Sequence, residues 1–212
     1  MGTCDCLLVD DHPMVRRGVK DLLVQEQICS KVEEVSSGAE ALAAVRRKPW
    51  GLMLLDVALP DKHGLEVLKE TKEIQPKLPV LMLSLYPEKE FAMRAIKAGA
   101  SGYLTKQSAP VELLGAIKRV LQGHRYITSA LAEQLAELCE HGGTGPLHAR
   151  LSDREMQVLR LLGKGRPVSA IAEDLCLSVK TVSTYRARIL EKLSCHSTTE
   201  LIRYAIEAHL VD

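Results

Sequence analysis

The chain has 212 residues, of which 46% are apolar and 26% are charged, and its formal net charge is +1. These values suit a globular protein of one large or two small domains, and they exclude a basic surface over the whole molecule. Nucleic-acid binding would therefore need a local basic patch. The longest apolar runs, such as Leu52–Leu55, are far shorter than the ~18 residues that cross a bilayer, and residues 1–6 do not resemble a signal peptide. The sequence predicts a cytoplasmic protein with no membrane partner.

Short apolar runs alternate with segments of helical periodicity over residues 1–122. The runs are Cys6–Val9, Val32–Val35, Leu52–Leu55, Val80–Leu83 and Gly102–Thr105. Pro13 and Pro110 suit the first turns of two of the intervening helices, and Gly99 suits the end of another. The alternation predicts an α/β domain in which five parallel strands form a doubly wound sheet with helices on both faces.

The second half of the chain has no strand pattern. Residues 128–140 favour a helix, and the glycines and proline of 141–146 indicate a flexible linker that continues to 149. Helical periodicity then runs to the end of the chain. We predict an α/β domain at 1–124, a linker helix and flexible linker at 125–148, and an all-α domain of four helices at 149–212.

Polar residues follow four of the five predicted strands. Asp10-Asp11 follow the first, Asp56 the third, Ser84 the fourth and Thr105-Lys106 the fifth. Ligands of open parallel sheets bind outside the carboxyl ends of the strands, so these side chains should share one pocket. Clustered carboxylates need a cation, and Mg²⁺ prefers oxygen ligands. A metal, a lysine and a nucleophilic carboxylate together indicate phosphoryl transfer.

Two other interpretations of the acidic residues remain open. Each acid could simply end its strand. This is a weak explanation, because polar residues follow four different strands at the same edge of the predicted sheet. The pocket could also belong to a phosphotransferase or phosphatase with an aspartate nucleophile. That class has a second acid two residues after the nucleophile, where this chain has Ala58, so we expect no enzymatic turnover on external substrates.

Residues 5–122 resemble a receiver domain of the response regulator family. The resemblance lies in Leu8–Pro13, Leu54–Gly64, Leu83-Ser84 and Lys97–Lys106. It implies an aspartate that accepts a phosphoryl group from a sensor histidine kinase with Mg²⁺ as cofactor. The roles it implies are the phosphoacceptor Asp56, the Mg²⁺ ligands Asp10, Asp11, Asp56 and the backbone carbonyl of Ala58, the phosphate-contacting Lys106, and the switch residues Ser84 and Tyr103.

Capping patterns divide the all-α region into helices. Ser152 and Glu155 have capping-box spacing at the first helix, and Ser197 and Glu200 have the same spacing at the fourth. The second helix should cover about 167–175. After a tight turn, Ser178 is the expected N-cap of a third helix over about 179–193.

The third helix has one apolar face and one face of small polar and basic residues. Residues 180–192 hold four basic residues against one acidic residue, a net charge of +3. A hydroxyl-rich basic face after a tight turn suits the major groove of DNA, although it could also be the solvated face of an ordinary bundle. The predicted DNA contacts are Lys180 and Arg188 at the edges, with Thr181, Ser183, Thr184 and Ala187 between them.

The C-terminal region resembles a LuxR-type helix-turn-helix. The matching positions are Leu151–Glu155, Gly165, Ile171-Ala172, Leu175, Leu177-Ser178, Thr181-Val182 and Lys192-Leu193. Together with the receiver, they resemble the NarL/FixJ family, and Thr181–Arg186 looks closest to its GacA/UvrY and BvgA/EvgA subgroups. This resemblance implies a phosphorylation-controlled transcription factor whose partners are double-stranded DNA and RNA polymerase. An output domain that binds protein or RNA is the alternative.

The same resemblance implies a homodimer when the chain is phosphorylated. We expect its surface on the fourth helix, at Leu201, Tyr204, Ala205 and Ala208. The competing interpretation is that these residues complete the core of the domain.

The six cysteines stand at positions 4, 6, 29, 139, 176 and 195 and form no Cys-x-x-Cys pair. Cys4 and Cys6 should share one face of the first strand. We predict reduced structural thiols.

Overall fold

The computed structural model describes residues 4–85, 88–108, 110–129, 131–133 and 147–211. The chain divides into two compact units, Met1–Glu140 and His141–Asp212. Across the described ranges, no helix combines the length and the apolar character that crossing a membrane requires.

The first unit is built on a parallel sheet with the strand order β2-β1-β3-β4-β5. Strands β3 and β4 are buried along their whole length, which explains their continuous apolar runs. The strands are β1 (Cys4–Val9), β2 (Cys29–Val35), β3 (Leu52–Asp56), β4 (Val80–Ser84) and β5 (Gly102–Thr105). The predicted α/β class and doubly wound sheet are confirmed.

Five helices cover the two faces of this sheet. They are α1 (Pro13–Gln25), α2 (Gly38–Arg47), α3 (Gly64–Ile74), α4 (Glu88–Lys97) and α5 (Pro110–Leu121). Helices α2, α3 and α4 enclose one apolar cluster and helices α1 and α5 enclose the other. Pro13 occupies the first turn of α1. Gly99 lies in the turn after α4 and has a positive φ of 97°, a conformation that favours glycine.

In the described part of the second unit, residues 147–211, a short 3₁₀ helix at Leu147–Arg150 is followed by four α-helices. These are α6 (Asp153–Gly163), α7 (Val168–Asp174), α8 (Val179–Leu193) and α9 (Thr198–Glu207). Ser152 and Glu155 form both halves of the predicted capping box, and the Ser178 side chain accepts a hydrogen bond from the Thr181 N–H. The predicted all-α helix-turn-helix unit is confirmed.

One expectation about the boundary region changes with the structure, and a second is confirmed in part. Residues 147–149 were predicted as flexible linker but lie in the 3₁₀ helix. The Tyr204 hydroxyl holds this segment, because its Oη lies 3.2 Å from the backbone nitrogen of His148 and 3.0 Å from the His148 Nδ1. Residues 129 and 131–133 of the predicted linker helix are helical, Thr128 is described but not helical, and residues 130 and 134–146 lie outside the described residues. The domain limits 124/125 and 148/149 stay predictions.

The predicted dimer surface on α9 is wrong in two of its residues. Leu201 and Ala205 are fully buried in the core of the second unit, as the competing interpretation held. They face α6, where a Cβ on Gly163 would lie 2.8 Å from the Ala205 Cβ. Ile206 is the exposed large apolar residue of this helix. The capping box predicted at the start of α9 also differs from the prediction. The Glu200 side chain accepts a hydrogen bond from the His196 N–H rather than from the Ser197 N–H.

Candidate functional site

An acidic cluster lies at the carboxyl edge of the sheet in the first unit. Lys106 follows β5, and its Nζ lies 2.6 Å from Asp56 Oδ2 and 2.7 Å from Asp10 Oδ2. Asp10 and Asp56 are 0% and 1% exposed. Because β1 and β3 are neighbours in the sheet, the two acids are adjacent, and the long lysine side chain reaches them from β5.

The cluster has the donor set of a Mg²⁺ site. Ligand atoms of Asp10, Asp11, His12 and Asp56 all lie within 4.8 Å of one another. Asp10 Oδ2 and Asp11 Oδ1 are buried, and apart from their ion-pair contacts with Lys106 and His12 neither accepts a well-aligned hydrogen bond, an arrangement that a cation would complete. Carboxylate oxygens are the ligands that Mg²⁺ prefers, so the residues fit this ion.

His12 was not anticipated from the sequence as part of this cluster. Its Nδ1 lies 2.5 Å from Asp11 Oδ1 and 3.2 Å from Asp10 Oδ1, and its backbone N–H donates to Asp10 Oδ1. The only indication in the sequence is its place directly after the acidic pair, at the N-cap of α1.

The Asp56 carboxyl group is harder to ionise than an ordinary aspartate. Burial raises its pKa to about 6, the ammonium of Lys106 opposes the rise, and the neighbouring Asp10 charge adds to it. The Ala58 N–H donates to Asp56 Oδ1 at 3.1 Å, while Lys106 holds Oδ2. The group is therefore an oriented, poorly solvated carboxylate near neutral pH, which is what a nucleophile in phosphoryl transfer requires.

The two predicted switch residues lie in different environments. Ser84 is buried at the end of β4, pairs with Thr105 in the ladder, and accepts a 2.6 Å hydrogen bond at its backbone oxygen from the Lys106 N–H. Tyr103 is buried in the core between the sheet and α4. The structure thus places Ser84 at the edge of the sheet that carries the cluster, whereas Tyr103 lies in the core.

A glycine makes the loop after Asp56 possible. A Cβ on Gly64 would lie 2.1 Å from the Asp56 backbone oxygen and 2.8 Å from the Val57 Cα. The Gly64 N–H also donates to the Val57 oxygen at 2.8 Å, so the start of α3 folds tightly back on the end of β3. Sequence reasoning matched this glycine within the receiver motif and gave it no role.

We expect Gly64→Ala to lower the free energy of unfolding of the first unit by at least about 2 kcal/mol, because backbone atoms cannot yield to the added methyl group. Gly115→Ala is the matched control, since its Cβ would meet no atom within 4 Å. In a helix interior that change should stabilise by about 0.5–1 kcal/mol. Urea unfolding of both variants measures the difference, and equal effects would contradict the role given to Gly64.

The third helix of the second unit presents the predicted polar face. Lys180, Thr184, Ala187 and Arg188 are exposed, and Thr181 and Ser183 are partly buried at its margin. A shallow cavity of about 300 Å³ is lined by Lys180, Thr181, Thr184, Tyr185 and Arg188. Val182, Ile189 and Leu193 are buried on the opposite side. The face is open, basic and formed mostly of short side chains.

An ion pair ties this helix to the start of α6. Lys192 Nζ lies 2.6 Å from Glu155 Oε2, and the same oxygen accepts from the Ser152 N–H at 2.7 Å. Burial alone would raise the pKa of Glu155, but the hydrogen bonds from Lys192 and Ser152 hold it below its usual value. The capping box was predicted, whereas the link to Lys192 was missed because the two residues are distant in sequence.

Comparison with known families matches both units of the chain. Residues 6–118 match the response regulator receiver domain, and residues 149–205 match bacterial regulatory proteins of the luxR family.

Similar proteins cover nearly the full chain. The transcriptional activator protein ExaE of Pseudomonas putida is 43% identical over 209 residues, which are 97% of this chain and 97% of the relative. The response regulator UvrY of Escherichia coli strain K12 is 37% identical over 201 residues, or 94% and 92%. The response regulator GacA of Pseudomonas aeruginosa is 36% identical over 208 residues, or 97% of each.

Solved structures with the same architecture include DNA complexes. RcsB of Salmonella enterica serovar Typhimurium, bound to promoter rprA in the presence of the phosphomimetic BeF3-, has a TM-score of 0.62 at 26% identity over 96% of this chain and 98% of that one. A two-component response regulator of the LuxR family from Aurantimonas sp. SI85-9A1 has a TM-score of 0.60 at 32% identity over 66% of this chain and 99% of that one.

Proposed function

Since this chain belongs to the response regulators of the NarL/FixJ family, which join a receiver to a LuxR-type DNA-binding domain, we propose that Asp56 is its phosphoacceptor. The phosphoryl donor is a sensor histidine kinase. Phosphorylation then controls dimerisation and the binding of double-stranded DNA. The observation that supports this most is the buried pair of Asp10 and Asp56 bridged by Lys106 at the carboxyl edge of the sheet.

The transfer uses the residues of the acidic cluster. An Asp56 oxygen attacks phosphorus, the bond from phosphorus to the histidine nitrogen of the kinase breaks, and an acyl phosphate forms. Asp10, Asp11, Asp56 and the carbonyl of Ala58 would hold Mg²⁺, which when bound supplies positive charge to the phosphoryl oxygens. Lys106 neutralises the same oxygens from the side of β5.

The new phosphoryl group is read by the predicted switch pair. It adds negative charge and strong hydrogen-bond acceptors at Asp56. The Ser84 hydroxyl moves to donate to a phosphoryl oxygen, and Tyr103 moves into the space that Ser84 leaves. Since Tyr103 is packed against α4, this movement changes the face formed by α4, β5 and α5.

The outward face of α8 is the proposed DNA contact. Lys180 and Arg188 meet phosphates, which position the protein without reading sequence. Thr181, Ser183, Thr184 and Ala187 approach base edges, where hydroxyls donate or accept and a methyl group can contact thymine. One helix covers few bases, so a homodimer on half-sites about 10 base pairs apart is expected. RNA polymerase is the proposed partner at the promoter.

Retention of promoter DNA by the full chain tests this function directly. Incubation with acetyl phosphate and Mg²⁺ should strengthen retention of specific DNA fragments, and omission of Mg²⁺ should remove the gain. Retention that is the same with and without the phosphodonor would overturn phosphorylation control. Preference for RNA over DNA would favour the alternative output domain. Release of inorganic phosphate in many turnovers would favour a phosphatase instead. That class is a poor candidate, because Ala58 stands where such enzymes have a second acid.

Two substitutions in α8 should separate positioning from base reading. Arg188→Ala should weaken binding on all sequences and reduce the salt dependence by about one phosphate contact. Thr184→Ala should change which bases are preferred, at a cost of ~1–3 kcal/mol for a good contact. The control is Arg203→Ala, which replaces an exposed arginine of α9. It should leave the affinity for DNA and the preference among bases unchanged. If both α8 variants weaken specific and random DNA equally, Thr184 is not a base reader.

A further inference from the structure

Three cysteine side chains meet at the edge of the sheet opposite to the acidic cluster. Cys4 and Cys6 lie on β1, and Cys29 begins β2. The Sγ atoms of Cys4 and Cys29 are 4.0 Å apart, and Cys29 also has a hydrogen bond with Cys6. The three belong to the apolar cluster under α1 and α5, so Cys29 is the centre of a row of thiols.

The strand register selects one pair from this row. Cys4 and Cys29 are direct partners in the β1–β2 ladder. Neighbouring strands lie about 4.8 Å apart, within the roughly 4.4–6.8 Å between Cα atoms that a disulfide allows. Cys6 pairs with Val32 instead, which puts its Cα roughly 8 Å from that of Cys29, too far for a disulfide without backbone movement.

The surroundings of the pair favour reaction with a small oxidant. Hydrogen bonds from Cys6 and Cys4 hold the pKa of Cys29 below its ordinary value against the effect of burial, whereas burial and the Cys29 neighbour raise that of Cys4 to about 11. A cavity of about 610 Å³ lined by Cys4, Ile28, Gly51 and Lys118 reaches Cys4, and the neighbouring Cys29 is itself 8% exposed. Thiolates with low pKa and access to solvent are the reactive ones.

We propose that Cys4 and Cys29 form a reversible intrachain disulfide on exposure to hydrogen peroxide. The Cys29 thiolate attacks a peroxide oxygen, the O–O bond breaks, and the departing hydroxide takes a proton to become water. The sulfur of Cys4 then attacks the sulfenic sulfur, the S–O bond breaks, and the hydroxide leaves with the Cys4 proton as a second water. Two thiols are oxidised and one peroxide is reduced.

The bond would lock the start of β1 to the start of β2. It closes a loop between residues 25 positions apart, which restricts the unfolded chain. The oxidised protein should therefore unfold at a temperature higher by about 5 °C or more. The acidic cluster lies at the opposite ends of these strands, so this site is separate from the phosphorylation site.

Peroxide treatment of the full chain tests the disulfide. Cys139, Cys176 and Cys195 are first replaced by serine, which leaves the three clustered thiols. We expect a mass lower by two hydrogen atoms, a peptide pair joining Cys4 to Cys29 after digestion, and reversal by dithiothreitol. A gain of oxygen without loss of hydrogen, an unchanged mass, or a Cys6–Cys29 peptide pair would each overturn the proposal.

Single substitutions distinguish loss of the disulfide from loss of folding. Cys4→Ser removes a half-buried thiol at the strand end and should abolish both the mass change and the rise in unfolding temperature. Cys6→Ala is the matched control, and it should keep the Cys4–Cys29 disulfide while slowing its formation, because Cys29 loses the hydrogen bond from the Cys6 thiol. If Cys4→Ser still loses two hydrogen atoms and gains thermal stability, the assigned pair is wrong.

Discussion

Asp56→Asn is expected to abolish phosphorylation of the full chain by a small phosphodonor. The wild type should gain the mass of one phosphoryl group with acetyl phosphate and Mg²⁺, and the variant should gain none. The amide that replaces the carboxylate cannot attack phosphorus and offers Lys106 no negative charge. Intact-mass measurement over a time course gives the result directly.

Loss of folding should not explain the loss of labelling in this variant. The raised folded pKa of Asp56, about 6 against an ordinary value of 3.8, means that the folded state disfavours the ionised carboxyl. The contribution of Asp56 to wild-type stability should therefore fall as pH rises from about 4 to 6 in buffer without divalent cations, by up to about 3 kcal/mol. Asp56→Asn should lack this decline and be at least as stable as wild type at pH 7.5.

The matched control for the labelling experiment is Asp61→Asn. Asp61 stands in the same loop, but its oxygens accept from the N–H groups of Gly38 and Ala39 at the start of α2. This variant should keep its phosphorylation. A phosphoryl gain in Asp56→Asn equal to that of wild type would remove Asp56 as the acceptor.

The sheet and its polar edge could be predicted because they depend on local periodicity and on strand ends. Buried parallel strands must be apolar on both faces, so β3 and β4 are evident in the sequence. Chain direction then places the residue after each strand at one edge, which predicts that Asp10, Asp56 and Lys106 meet.

The features that sequence reasoning missed depend on contacts between distant parts of the chain. The helical spacing of Leu201 and Ala205 marks an apolar face, but spacing cannot tell whether a second chain or α6 covers it. The requirement for glycine at position 64 arises from the return of the loop to the Asp56 backbone, and residue type alone does not show this approach. The same holds for Glu155 and Lys192, whose spacing in sequence suggests no contact.

Glu155→Ala is expected to destabilise the second unit. Its carboxylate satisfies the Ser152 N–H and pairs with Lys192, and the residue is 2% exposed. We expect a loss of about 2–3 kcal/mol in the free energy of unfolding of this unit, since a cap and a charge-assisted hydrogen bond disappear together. Thermal or urea unfolding of the full chain, followed by a probe in the second unit, measures it.

Glu200→Ala is the control, because Glu200 makes a similar capping contact to the His196 N–H at 2.8 Å but has no lysine partner among the described contacts. Glu200→Ala should cost about 1 kcal/mol or less.

A double-mutant cycle that combines Glu155→Ala with Lys192→Ala then isolates the energy of the Glu155–Lys192 ion pair. If α8 depends on this ion pair for its position, Glu155→Ala and Lys192→Ala should weaken specific DNA binding by the same factor while Glu200→Ala does not. A coupling energy near zero would mean that Glu155 acts only as a helix cap and that the packing of Val182, Ile189 and Leu193 alone holds α8 in place.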